Sequence, residues 1–250
     1  MNRSTFYRIY GKIERRLAPQ LKYSQDLYHR ALCENLKAGA RWLDIGCGHH
    51  ILPLWRDNEE SELVARAQIV VGFDYDWPSL LKHRSIHLRV QGDISALPFD
   101  KESFDFVTAN MVVEHLEHPG IQFREIHRVL KPGGIFLFHT PNAYGYTTVL
   151  ARIVPETLKA RLIRLLDGRA PEDVFKTHYQ ANTESQICRI AQLTKFEVLK
   201  VGFIASSAKF AIIAPLACFE LVWIRLLLTR PLRRFRTNLI VTLAKPRPLS

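Results

Sequence analysis

The 250-residue chain holds four cysteines, and no two of them form a C-x-x-C pair. Cys33, Cys47, Cys188 and Cys218 are too scattered for a disulfide framework or a thiolate zinc site, which fits a reducing, cytoplasmic setting. The first residues, M-N-R-S-T-F-Y-R-I-Y-G-K, lack the apolar core of a secretory leader. No internal repeat or low-complexity tract occurs. A third glycine is also missing. In W-L-D-I-G-C-G-H-H-I, residues 42–51, Gly46 and Gly48 follow an apolar run, but Ile51 stands where a G-x-G-x-x-G dinucleotide loop carries its last glycine.

Negative charge is scarce at both ends. The total of +11 divides into +6 over residues 1–41, −5 over 42–144 and +10 over 145–250. Basic flanks of this kind suit phosphates, a membrane surface or an anionic substrate, or serve only as a solvated surface.

Residues 4–37 read as helical, with apolar positions at Ile9, Ile13 and Leu17, then Leu27, Ala31 and Leu32, and Pro19 between the two sets. From Trp42 onward, short apolar runs alternate with helical spans. Strands are expected at 41–45, 69–74, 86–91, 104–109, 134–140, 196–204 and 238–244, with helices at 122–130 and 183–194. Lys131-Pro132-Gly133-Gly134 reads as the turn into the fifth strand. Strands separated by helices imply right-handed βαβ units. The fold class is α/β: a Rossmann-like, seven-stranded, mostly parallel sheet with helices on both faces and an antiparallel last strand. The expected organisation is a helical cap over 1–38 and one α/β domain over 39–250, with helical insertions at about 146–180 and 206–235.

In such sheets, ligands bind at the carboxyl ends of the strands. Asp44, Asp74, Asp93 and Asn110 all fall at or just beyond such ends. Gly46 and Gly48 let the backbone approach a ligand closely. Asp44, two residues before Gly46, is the wrong group beside a pyrophosphate and the right one beside an ammonium or other positive charge. Asp74, in V-V-G-F-D-Y-D, is placed to accept hydrogen bonds from two ribose hydroxyls. In Q-G-D-I-S-A-L-P-F, Asp93 is placed to accept from an adenine amino group while Ile94 packs on the ring.

L-D-I-G-C-G, G-F-D, G-D-I-S-A-L-P-F, S-F-D-F-V-T-A-N and R-V-L-K-P-G-G, taken together over about residues 40–142, resemble a class I S-adenosylmethionine-dependent methyltransferase. The nearest subgroup is that of ubiquinone- and menaquinone-type and other small-molecule enzymes. The resemblance implies S-adenosylmethionine as cofactor. It places Asp44, Gly46, Cys47 and Gly48 around the methionine part, Asp74 with Tyr75 at the ribose, Asp93 and Ile94 at the adenine, and Asn110 near the sulfonium. His49 and His50 depart from the small or polar residues usual after G-C-G, and the stretch 57–62 is unusually polar.

Methyl transfer to oxygen or nitrogen can require a base, and His115, in V-E-H-L-E-H, follows the fourth strand on the substrate side implied by the resemblance. His139, Asn142 and His178 fall where substrate loops lie in this family. Glu114, His115 and His118 offer too few ligands sharing one face for a metal site, and none is expected. An exocyclic-amine base methyltransferase would carry Asn/Asp-Pro-Pro-Tyr after the fourth strand, whereas this chain reads N-M-V-V. A small-molecule acceptor is therefore favoured over nucleic acid. RNA, reached through the basic flanks, is the enzymatic rival, and a non-catalytic cofactor-binding scaffold is the other.

The most apolar stretch, residues 210–229, is interrupted by Pro215 and contains Glu220 and Arg225, which argues against a membrane span. It reads as a core helix, an apolar lid over the acceptor, or a surface helix of the 210–236 segment that places Arg230, Arg233, Arg234 and Arg236 against anionic headgroups. The last two favour an apolar or lipid-linked acceptor, such as a quinone precursor, a lipid or a glycan. The surface-helix reading adds a peripheral location at the inner membrane face. Oligomeric state is left open.

Overall fold

A computed structural model describes residues 3–153, 176–206 and 214–248. Seven strands form one sheet: β1 (Arg41–Ile45), β2 (Ile69–Asp74), β3 (Leu88–Gln91), β4 (Phe104–Asn110), β5 (Leu130–Pro141), β6 (Glu197–Ile204) and β7 (Asn238–Ala244). Their order is β3-β2-β1-β4-β5-β7-β6. Strands β3, β2, β1, β4 and β5 pair in parallel, and the antiparallel pairing lies among the last strands. The central strands read as continuous apolar runs because both of their faces are covered. In β1, β4 and β7 nearly every residue is buried, whereas the edge strands β3 and β6 are half-exposed. The order reverses between β1 and β4, and the crevice at their carboxyl ends is the ligand position of this architecture.

Eight α-helices are described: α1 (Arg3–Leu17), α2 (Ser24–Asn35), α3 (Asp57–Arg66), α4 (Trp77–Leu81), α5 (Pro119–Val129), α6 (Tyr146–Ile153), α7 (Glu184–Leu193) and α8 (Ala214–Leu227). Three acids in its first turn suit α3 to the helix dipole, proline opens α5, and the Thr183 hydroxyl caps α7 by accepting from the Gln186 N–H. Phe123 of α5 packs edge-on against Phe136, Phe138 and Phe196, forming the aromatic centre of the core on that side of the sheet.

The expected turn at 131–134 is a local irregularity within β5. Phe104 pairs with Leu130 and Phe106 with Ile135, so the residues between bulge out. Gly133, at φ +77, donates to the Lys245 carbonyl at 2.7 Å, and the Lys245 N–H returns to Gly134 at 2.9 Å. Of the helical insertion expected at about 146–180, α6 is described; residues 154–175, and 207–213 of the second insertion, lie outside the described residues.

The chain divides into two compact units. One contains the sheet: Gln25–Thr140, Thr177–Gly202 and Leu239–Ser250. The other is Met1–Ser24, Pro141–Lys176 and Phe203–Asn238. This differs from the expected split after residue 38, since α1 groups with the insertions and nearly all of α2 with the sheet. In the second unit α1 packs on α8, with Ala18, Ala205 and Ile224 at the centre. The Tyr146 hydroxyl donates to buried Glu220 at 2.6 Å. Asn142, expected at the acceptor, is fully buried here; its amide donates to the Arg234 and Arg236 carbonyls at 2.8 and 2.7 Å and accepts from the Tyr144 N–H. Its two N–H groups are thus committed to the backbone. No helix among the described residues is long and apolar enough to cross a membrane.

Arg236 does not face outward with its neighbours. Its guanidinium donates to the carbonyls of Leu227 (2.9 Å), Leu228 (2.8 Å) and Phe203 (3.0 Å), closing the carboxyl end of α8. Replacing it with methionine leaves these carbonyls unpaired. The expected loss is about 1–3 kcal/mol, and Arg236→Lys should recover only part of it because an ammonium lacks the planar fork. Urea unfolding of both variants checks this.

Candidate active site

The two glycines of the loop after β1 serve different ends. Gly46, at φ +63, donates to the Phe73 carbonyl at 2.6 Å, and a Cβ there would collide with the Val112 side chain. Gly48, at φ +53, donates to Asp74 Oδ2 at 2.8 Å, and a Cβ there would enter open space. Packing demands the first glycine, while the second leaves bare backbone facing open space. Cys47 between them is buried, and burial with the nearby carboxylates of Asp44 and Asp74 pushes its thiol pKa up. Where a third glycine would stand, Ile51 donates its N–H to Glu60 Oε2 at 2.9 Å, and Leu52 donates to the same oxygen at 2.8 Å. One acid of the polar stretch 57–62 therefore turns inward and closes the loop. The rings of His49 and His50 stack with centroids 4.3 Å apart.

At the end of β2, Asp74 accepts from Gly48 through Oδ2 and from the Asp76 N–H through Oδ1 at 2.9 Å, leaving a lone pair on each oxygen for a ligand. Tyr75 is exposed, and its carbonyl accepts from Gln91 Nε2. Asp93 is exposed; its Oδ1 accepts from the Ser95 N–H at 2.7 Å and caps the single turn Ile94–Ala96, on which Ile94 is half-buried. Asp44 is different. It is buried, accepts from the Thr108 hydroxyl, and through it is linked to Trp42 Nε1, which donates to Thr108 at 2.7 Å. Burial raises its pKa to about 7, with Glu60 and Asp74 adding to the rise.

Asn110, at the end of β4, pairs in register with His139 of β5. Its amide nitrogen donates to Gln25 Oε1 (3.1 Å) and the Ile51 carbonyl (3.4 Å), so its oxygen is left to meet His139 Nδ1 at 2.9 Å, and Nδ1 carries the proton. Burial lowers the His139 pKa to about 4, and the neutral ring stacks on Tyr28 of α2 with centroids 5.7 Å apart. Nearby, Glu114 accepts from the Thr140 hydroxyl at 2.9 Å, and that hydroxyl accepts from Asn182 Nδ2 at 2.7 Å. The Glu114 carbonyl takes the N–H groups of His178 (2.7 Å) and Tyr179 (3.2 Å). Burial raises the Glu114 carboxyl pKa to about 7. His115 is half-buried, its Nε2 lying 3.9 Å from Glu114 Oε1.

Of the residues picked out from sequence, Gly48 meets Asp74, Asn110 meets His139, and His115 and His178 both adjoin Glu114. Asp44 lies deeper than a surface strand end, and Asn142 belongs to the other unit. Gln25, Tyr28, Glu60 and Thr108 were not anticipated. The available signal was the Gln25–Tyr28 spacing of three, which puts both on one face of α2. Among the described residues, no three His, Cys, Asp or Glu side chains are arranged to hold a metal ion.

A methyltransferase domain family matches residues 13–201. The chain belongs to it. The malonyl-[acyl-carrier protein] O-methyltransferase of Enterobacter lignolyticus is 32% identical over 153 residues, 58% of this chain and 55% of that protein. The demethylmenaquinone methyltransferase of Staphylococcus carnosus is 33% identical over 106 residues, 40% of this chain and 42% of that protein. The chain spans about half the length of the curated relatives it matches. Crystal structures of S-adenosylmethionine-dependent methyltransferases from Mesorhizobium loti and Methanosarcina mazei share the fold. The first has a TM-score of 0.55 at 19% identity, covering 86% of this chain and 96% of that one. The second has a TM-score of 0.57 at 18% identity, covering 87% and 97%. S-adenosylmethionine is the cofactor of this family. The open space before Gly48, beside the unused lone pairs of Asp74, fits the polar side of such a nucleoside.

Asp44 gives a pH test. Its carboxyl has a pKa of about 7 in the fold, against an ordinary 3.8 for a solvated aspartate. The folded chain therefore holds the proton more tightly, and the stability this supplies is complete below about pH 4 and lost as pH rises through 7. Relative to Asp44→Asn, the wild type should lose a few kcal/mol of unfolding free energy across that window and no more above it. Urea unfolding at stepped pH measures the difference, and a pH-independent difference would contradict the burial of a protonated Asp44.

Proposed function

We propose that this chain transfers a methyl group from S-adenosylmethionine to a small-molecule acceptor that is apolar or lipid-linked. The observation that carries this reading is the hydrogen bond from the Gly48 N–H to Asp74. It locks the bare-backbone loop after β1 to the carboxylate after β2. In this assignment, the loop Asp44, Gly46, Cys47 and Gly48 surrounds the methionine part of the cofactor. Asp74 and Tyr75 hold the ribose, Asp93 and Ile94 the adenine, and Asn110 lines the sulfonium end. Bound there, S-adenosylmethionine supplies a methyl group on a positively charged sulfur.

The residues of the chain then have three tasks. The Asn110–His139 pair, neutral at pH 7, gives that end a polar wall without net charge. Exclusion of water and alignment of the acceptor behind the methyl supply much of the rate. His115 takes the proton when the acceptor atom is oxygen or nitrogen, with buried Glu114 beside it. His139 and His178 border the acceptor. Relatives named for malonyl-acyl-carrier-protein and demethylmenaquinone methylation support an acceptor on a carrier or an apolar tail, such as a quinone precursor, a lipid or a lipid-linked glycan.

Incubation with methyl-labelled cofactor and separate lipid, glycan, polar-metabolite and RNA fractions tests the acceptor. Label is expected in the lipid or glycan fraction; label confined to RNA, or cofactor binding with no transfer at all, overturns the reading. Asp74→Ala should weaken cofactor binding by about ten-fold or more, a loss of one to two charge-assisted hydrogen bonds. His115→Gln should lower kcat by about 10²-fold or more with cofactor Kd unchanged. Calorimetry and single-turnover kinetics separate the two effects.

A further inference from the structure

Among the described residues, helix α8 has one apolar side that is covered and another that is exposed. Ala217, Leu221, Ile224 and Leu227 are at most 1% exposed, and Glu220 is buried among them. On the opposite side Leu216, Phe219, Trp223 and Leu226 follow one another at the i, i+3, i+7, i+10 spacing of a helix face, with Val222 between them. Phe219 is 74% exposed and Leu226 46%. A stripe of two aromatic and three aliphatic side chains facing solvent marks a docking surface.

The surrounding charge is of one sign. Glu220 is the sole acid between residues 214 and 248, and it is buried against the Tyr146 hydroxyl. Arg225 flanks the stripe, and Arg230, Arg233 and Arg234 are exposed just past the end of α8. Arg236 takes no part, being bound to carbonyls. In the same unit, α1 exposes Arg8, Lys12, Arg15 and Arg16, again on one helix face. A second copy docked through this stripe would bring the two arginine clusters together, which opposes self-association.

We propose that the exposed face of α8 docks on an anionic phospholipid surface, with Phe219, Val222, Trp223 and Leu226 entering the headgroup–acyl boundary and Arg225, Arg230, Arg233 and Arg234 meeting phosphates. An aromatic and aliphatic stripe bordered by arginines is the pattern of a helix lying in the interface plane. Buried Glu220 and exposed Arg225 interrupt the apolar run, and among the described residues no helix is long and apolar enough to cross a membrane, so the proposal lays α8 in the interface plane. The proposal uses only features of the helical unit and stands apart from the methyl-transfer reading.

The full-length chain is sedimented with vesicles of phosphatidylcholine alone and of phosphatidylcholine with one-quarter phosphatidylglycerol, without cofactor or acceptor. Binding is expected to the anionic vesicles, weakening with salt. The Arg230→Gln/Arg233→Gln/Arg234→Gln variant should bind about a hundred-fold more weakly, at roughly five-fold per lost cation. Phe219→Ala/Trp223→Ala should abolish retention at high salt. All substituted side chains are exposed, and unchanged circular dichroism and Tm show that the variants fold. Absence of binding to either vesicle, equal binding to both, or binding unaltered by either variant overturns the proposal. So does a concentration-dependent dimer in ultracentrifugation that Phe219→Ala/Trp223→Ala dissolves. Each of these results leaves the labelled-methyl assay free to succeed.

Discussion

The Asp74 carboxylate holds two loops at once. Its oxygens fix the Gly48 N–H from the turn after β1 and the Asp76 N–H from the turn after β2. With both ends tied to one rigid group, the open space before Gly48 has a defined wall, and each oxygen keeps a lone pair directed away from the backbone. Glu60 does the same work one step further along, gathering the Ile51 and Leu52 N–H groups. A loop with only two glycines is thus fastened by two acids, from β2 and from α3. The space that a third glycine would open is filled instead by a buried isoleucine side chain.

Behind this surface lie acids of another kind. Asp44 and Glu114 are buried, bonded to hydroxyls, and hold their protons up to about pH 7. His139 is buried and neutral down to about pH 4. Below about pH 7 these two carboxyls, and above about pH 4 the His139 ring, add little charge to the interior of the sheet unit. The division follows from desolvation: a carboxylate in water keeps its charge and one inside the fold gives it up unless a cation arrives.

Much of the sheet was legible. The bounds of β1, β2 and β7 coincide with the apolar runs because each run is cut short by a charged or turn-forming residue. The Lys131–Gly134 segment was misleading, since its glycines suit a turn but the Lys245 backbone recruits them into the sheet. Glu60 could not be picked from D-N-E-E-S-E, where any of the acids could face water; which one turns inward depends on amide groups eight and nine residues away. Tyr28 reaches His139 across 111 positions, and no local pattern encodes that stacking. Asn142 is the converse case. Its position after β5 suggested an acceptor contact, while the fold directs its amide to the carbonyls of Arg234 and Arg236.

The cysteines have a practical consequence. Cys47 is shut beneath the loop, over Gly72, with its thiol held in the unreactive protonated form. Cys188 on α7 and Cys218 on α8 are exposed. Cys188 lies in the sheet unit and Cys218 in the helical unit. Once half-buried Cys33 is replaced by serine, the chain offers one native labelling position on each unit. A donor and acceptor dye there would report the distance between the units, and its change on adding cofactor or lipid, without disturbing the loop that Asp74 holds.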